Sequence, residues 1–198
     1  GGTSSVLPTG STAAEPLTEY VFDDISEYGW AAESITNLYK KNIISGRSER
    51  IFAPSANVLR EEFVKMTVAA FNITGTADIE FSDVADDDWF KPYICSAYGA
   101  GIVNGEGDTF GTGKSITRQD MAKIIYEIAA KKGIKLEAAD ISVFNDSGEI
   151  APYALNAVAA LYKNGIVNGK DGGRFAPNDY ATRAEAAVII SRAMNLIK

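Results

Sequence analysis

The sequence predicts a mainly α-helical protein built from three helix–turn–loop–helix repeats, and two observations carry that prediction. Four landmarks recur three times in the same order, with a period of roughly 60 residues that exceeds the common solenoid periods. Within the copies, apolar residues return at three- and four-residue spacing on both sides of a glycine turn, as amphipathic helices require. Helices this short cannot hide their apolar faces alone, so the three units are expected to pack around one shared core.

Residues 1–19, GGTSSVLPTGSTAAEPLTE, have a linker's composition, rich in Gly, Ser, Thr, Ala and Pro. The repeats are expected over 20–78, 79–140 and 141–198. Each opens with an aromatic and an aspartate: FDDI (22–25), FSDV (81–84) and FNDS (144–147). A helical stretch follows and ends in a glycine turn: NLYKKNIISG (37–46), SAYGAGIVNG (96–105) and ALYKNGIVNG (160–169). In the third copy Ala154, Val158, Leu161 and Tyr162 share one face, and Gly165 and Asn168-Gly169 are expected to supply the positive-φ positions that turn the chain. A short loop then carries Phe52, Phe110 or Phe175. The second helix begins at Arg60, Arg118 or Arg183, with stripes of Phe63, Met66, Thr67, Ala70 and Phe71 in copy one and Met121, Ile124, Ile125 and Ile128 in copy two. Ala186, Ile189, Ile190, Ala193, Met194 and Ile197 form the stripe in copy three.

The bulk numbers narrow the function. A net charge of -7 argues against a general nucleic-acid binder, which needs a basic face, so an anionic ligand must be held by local sites. Histidine is absent, which removes the commonest general base and zinc ligand, and no metal or cofactor is expected. The single Cys95 rules out an internal disulfide framework and is expected to be a buried, inert thiol. No apolar run approaches a membrane span, and the N-terminus lacks the basic and apolar regions of a signal peptide. The opening Gly-Gly-Thr-Ser-Ser suggests an excised fragment whose export signal lies elsewhere.

The arginines break a local rule. A cation in the first turn opposes the helix dipole, by about 0.3–1 kcal/mol. In copy three Thr182 and Glu185 make a capping box around Arg183; copy two has Thr117 with the shorter Asp120; copy one has Leu59, which cannot cap, before Arg60 and Glu62. A rule broken at three equivalent places points to function. Free helix N–H groups beside a guanidinium would make a carboxylate or phosphate site. The alternative is that each arginine pairs with an aspartate of a neighbouring unit and holds the repeats together. Both readings stay open at this stage.

The tandem of FxDV-like openings, NG turns and TRAE-type helix starts resembles the S-layer homology family, from Phe22 to Lys198. TRAE in copy three is a close match, TRQD in copy two a moderate one, and LREE in copy one is degenerate. The resemblance implies a pseudo-threefold helical assembly with binding grooves between adjacent repeats. It implies a non-enzymatic anchor that holds an exported protein to anionic secondary cell-wall polysaccharide on the bacterial surface, often through pyruvylated amino sugars. The TRAE arginine lies in or near a groove, which corresponds to Arg60, Arg118 and Arg183. The N-terminal linker suggests a covalently attached N-terminal cargo; a monomer without nucleic-acid partner or membrane insertion is expected.

Further candidates surround these arginines. Trp30, Trp89 and Tyr153 are candidate groove walls, because sugars pack their C–H faces on aromatic rings, with core packing as the alternative. Asp24, Asp83 and Asp146 are placed to orient the arginines, accept sugar hydroxyls or cap the first helix. Gly46, Gly105 and Gly169 serve the turn or let a sugar approach the backbone. The missing cap in copy one and the missing tryptophan in copy three predict unequal grooves, the Arg60 groove ranking lowest. A cell-wall glycosidase using ADDDW (85–89) is the rival in another class, although no second acidic cluster matches it. Calcium binding at NGEGDT or GKDGGRFAPND fails the EF-hand spacing. A protein-docking module at the S-layer is the remaining rival.

Overall fold

A computed structural model describes residues 20–197; the expected linker at 1–19 and Lys198 lie outside the described residues. The elements, in order, are α1 (Gly29–Lys40), α2 (Arg60–Phe71), α3 (Lys91–Gly99), α4 (Arg118–Lys131), α5 (Leu155–Lys163) and α6 (Arg183–Leu196). Each repeat thus holds one first-position helix (α1, α3 or α5) and one arginine helix (α2, α4 or α6). Short 3-10 turns occupy Asp23–Ile25, Ser147–Glu149 and Asp171–Gly173. Among the described residues, extended segments meet only at isolated bridges.

The first-position helices end as their sequences dictate. Asn42 (φ 58°), Gly101 (φ 68°) and Gly165 (φ 69°) adopt the left-handed conformation just after α1, α3 and α5. The next residue's N–H then reaches back into the helix: Ile43 to Leu38 O at 3.0 Å, Ile102 to Ala97 O at 2.9 Å and Ile166 to Leu161 O at 2.9 Å. Those carbonyls would otherwise be orphaned. Asn168 and Gly169 do not share this role, since neither has a positive φ.

The two helices of one repeat do not pack on each other among the described residues. Instead α2 packs on α3, α4 on α5 and α6 on α1, while α2, α4 and α6 meet one another in the centre. The contact pattern is therefore cyclic, each arginine helix covering the first-position helix of the next repeat. The central position of the arginine helices explains why they bury more than one stripe: Val64 and Val68 in α2, and Ala187 and Val188 in α6, are buried as well. Phe22, Phe52, Phe63, Phe110 and Phe175 are the largest fully buried side chains in a single continuous core. Cys95 is free and half-buried, more exposed than expected.

A ring of three hydrogen bonds ties the repeats where the arginine helices begin. Val58 N–H donates to Ala181 O at 3.0 Å, Ala181 N–H to Ile116 O at 3.0 Å, and Ile116 N–H to Val58 O at 3.1 Å. No described helix is long and apolar enough to cross a membrane.

Candidate functional site

Each arginine crosses a repeat junction in both its backbone and its side chain. The main-chain N–H of Arg60 donates to Lys114 O at 2.9 Å, that of Arg118 to Asp179 O at 3.0 Å and that of Arg183 to Ala56 O at 2.9 Å. Gln119 N–H donates to Pro177 O and Ala184 N–H to Pro54 O, and Thr117 and Thr182 cap the third N–H of α4 and α6. The helix-start donors of α4 and α6 are thus spent on neighbouring loops and caps, and an anion at either of those two helix starts must be met by side chains.

The guanidinium groups differ. Arg183 lies over the Phe52 ring, 4.5 Å from its centroid, and donates from Nε to Phe52 O at 2.9 Å and from NH2 to Ser45 O at 2.8 Å. Burial, together with the Arg47 charge, pushes the Arg183 guanidinium below its ordinary pKa. Arg118 repeats the pattern on Phe175 O (2.9 Å) and Asn168 O (3.0 Å), and adds an ion pair with Glu185 at 2.7 Å. Arg60 lies over Phe110, with its carbon 4.8 Å from the ring centroid, and donates from NH2 to Asn104 O at 3.0 Å. Its Nε, however, is buried with no hydrogen-bond partner among the described residues. Arg118 and Arg183 are buried; Arg60 is half-buried.

The aspartates clasp the loop within their own repeat. Asp24 accepts the N–H groups of Phe52 and Ala53, Asp83 those of Phe110, Gly111 and Thr112, and Asp146 those of Phe175 and Ala176. Burial alone would raise the Asp83 and Asp146 carboxyls, but these N–H donors outweigh it and hold both below the usual carboxylate range. None of the three caps a first-position helix. The glycines are required by close approach: a Cβ on Gly105 would lie 2.2 Å from Phe81 Cε1, and on Gly46 2.6 Å from Phe22 Cε1. Gly169 meets Phe144 in the same way, at 2.9 Å. The opening aromatic of each repeat therefore packs against its turn glycine.

These parts converge on grooves at the repeat junctions. The larger, of about 890 Å³, runs from Arg60 past Asn104 and Gly105 to the α4 face carrying Asp120, Lys123 and Glu127. Tyr153 and Tyr180 of the third repeat form its far wall. Tyr153 is half in solvent and donates its hydroxyl to Asp120; burial of its remainder and that bond push the phenol up. A smaller groove, of about 190 Å³, brings together Arg118, Gly169, Lys170, Glu185 and Arg192 with Trp30 of the first repeat. At the third junction Arg47 makes two hydrogen bonds to Glu62, and Lys65 Nζ donates to Ile43 O at 3.1 Å.

Trp30 and Trp89 are 59% and 57% exposed, so neither belongs to the core. Trp89 stands at the start of α3 against Phe90. The larger of these two grooves is the one whose arginine belongs to the degenerate LREE helix start. Lys114, Lys123, Tyr180 and Arg192 also line grooves without having been singled out. The three- and four-residue spacing of Thr117, Asp120, Ile124 and Glu127 on α4 was the available signal for part of that wall.

Comparison with known proteins follows the same divisions. The S-layer homology domain family matches residues 21–64, 80–122 and 143–187. The chain is 38% identical over 193 residues to Exoglucanase XynX of Acetivibrio thermocellus, covering 96% of this chain and 18% of that protein. It is 39% identical over 173 residues to Amylopullulanase of Thermoanaerobacterium thermosulfurigenes, covering 85% of this chain and 9% of that protein. With the Surface-layer 125 kDa protein of Lysinibacillus sphaericus it shares 28% identity over 193 residues, covering 96% of this chain and 16% of that protein. The chain thus spans less than a fifth of the length of each of these relatives. With three matched repeats covering most of its length, the chain belongs to the S-layer homology domain family of cell-surface modules.

Proposed function

We propose that this chain is a non-catalytic, monomeric anchor that holds a covalently linked, N-terminal cargo to the anionic secondary polysaccharide of a bacterial cell wall. The ligand is a pyruvylated amino sugar, seated in a groove between repeats. One observation carries the reading: the 890 Å³ groove combines a half-buried arginine that has no acidic partner among the described residues with an exposed tyrosine wall. A ketal-linked pyruvate presents a carboxylate, which a guanidinium grips by charge-assisted hydrogen bonds, while the sugar's C–H face suits the Tyr153 ring. Arg60 and Tyr153 are the proposed contacts, with the backbone at Gly105 close by. Asp83 shapes the loop under Phe110, and Trp30 and Trp89 are proposed as rims at the other two junctions. The enzyme names belong to relatives of which this chain matches only a small part.

The test is binding to wall sacculi with and without removal of their non-peptidoglycan polymer. Wild type is expected to bind polymer-bearing sacculi, and Arg60→Ala to lose at least tenfold in affinity while keeping its circular dichroism spectrum. Equal binding to stripped sacculi would defeat the reading, and binding only to sacculi that retain surface protein would favour the docking alternative.

A further inference from the structure

Each arginine helix carries an acid three positions after its cap, and these acids differ in length and occupation. Glu185 reaches Arg118: one oxygen accepts from NH1 at 2.7 Å while the other accepts the Thr182 N–H at 2.8 Å. Glu62 is also committed, accepting both terminal nitrogens of Arg47 and the Leu59 N–H. In the second repeat the acid is Asp120, one methylene shorter. Its oxygens accept from Thr117 Oγ1 at 2.6 Å and from the Tyr153 hydroxyl, and among the described residues no ion pair joins it to Arg60.

The result is three arginines in three conditions. Arg118 is 5% exposed and neutralised by Glu185; Arg183 is 3% exposed, with Arg47 and Glu62 paired beside it. Arg60 is half-buried in the larger of the two grooves, with one hydrogen bond to a backbone carbonyl and a buried Nε that has none among the described residues. An unsatisfied, partly desolvated guanidinium attracts a carboxylate through charge-assisted hydrogen bonds.

We propose that the length of this acid selects the working groove: Asp120, too short to neutralise Arg60, leaves that groove as the one of the three that takes a carboxylate-bearing ligand. A glutamate at the same position closes it from within. The inference rests on the anchor reading for the natural ligand, but Arg60's availability to a carboxylate is testable without the polymer.

The experiment uses the whole chain, with pyruvate as the first probe. The Arg60 Nε–H signal, assigned by its loss in Arg60→Lys, is followed by NMR during pyruvate titration in wild type, Asp120→Glu and Asp120→Asn. A saturable shift is expected in wild type and Asp120→Asn. In Asp120→Glu the shift should weaken at least tenfold, with the free spectrum already displaced by the internal pair. An equal response in wild type and Asp120→Glu, or none in wild type, overturns the proposal. Soluble wall-polymer fragments form the second arm, where Asp120→Glu should lose at least tenfold in affinity. If the pyruvate pattern appears but wild type ignores the polymer, the anchor reading fails and the acid-length rule stands. If wild type and Asp120→Glu bind polymer equally, the rule fails and the anchor reading stands. Thermal unfolding of each variant is followed in parallel; should Asp120→Glu unfold, Asp120→Gln with a lengthened uncharged arm is compared with Arg60→Gln, and retained pyruvate binding in the first with loss in the second is the supporting result.

Discussion

A guanidinium buried among backbone carbonyls has surrendered water on every donor, so its removal leaves acceptors without partners. Arg118 is in that position, with Glu185, Asn168 O and Phe175 O all turned toward it. Arg118→Ala is expected to lose about 3 kcal/mol of folding stability, and Arg60→Ala less than about 1 kcal/mol, since fewer partners are stranded. Urea denaturation checks this, and equal losses would contradict the division of roles. Sequence showed that three arginines occupy equivalent places, but not which are committed, because commitment depends on acids contributed from the next repeat. The aspartates give a second residue-level outcome. Asp146 has its carboxyl held low in the fold, so its contribution is fully present above the unfolded-state value of about 4 and disappears as pH falls through the folded value. Asp146→Asn should melt lower than wild type at pH 7, by about 1–2 kcal/mol of stability, and the gap should close on acidification below about pH 4. A gap that does not change with pH would show that the carboxylate charge is irrelevant there.

The helices themselves were legible, because apolar spacing and left-handed glycine or asparagine positions are local properties. What local pattern could not show was the burial of α2 and α6 on several faces, nor the three-residue 3-10 turns, which are too short to carry a period. Gly105 and Gly169 looked like turn glycines but are needed because Phe81 and Phe144 lie against them, a demand from a distant segment. Helix starts offer a clean comparison at this scale. Leu59, Thr117 and Thr182 share the same extended backbone, but only the threonines accept from the third N–H of their helices. Thr182→Ala should cost about 1 kcal/mol, whereas Leu59→Thr, beside a Glu62 that already accepts the Leu59 N–H, should gain about 0.5 kcal/mol. Thermal melts of the two variants read this directly; a destabilised Leu59→Thr would mean that the leucine's packing outweighs a cap.

At the scale of the whole molecule the decisive fact is that each arginine helix covers the next repeat's first helix. Periodicity assigns an apolar face to a helix but not a partner, so this offset was beyond what the residues alone could fix. It predicts that the three repeats unfold as one cooperative unit. A chain ending at residue 140 loses the cover of α6 over α1, deprives α4 of α5 and opens the hydrogen-bond ring at Val58 and Ile116. Such a truncation is expected to show no cooperative urea transition by circular dichroism. A sigmoidal curve with a proportionately smaller slope would reveal repeats that fold one by one, as open solenoids do.

The ring of bonds among Val58, Ala181 and Ile116 carries one more consequence. A contact pattern that closes on itself has no first member. A chain recut to run from the second repeat through the third to the first, with a joining segment like 72–80, would keep every helix pair and every bond of the ring. The numbering names the repeats without ranking them, and the molecule is a circle written out as a line.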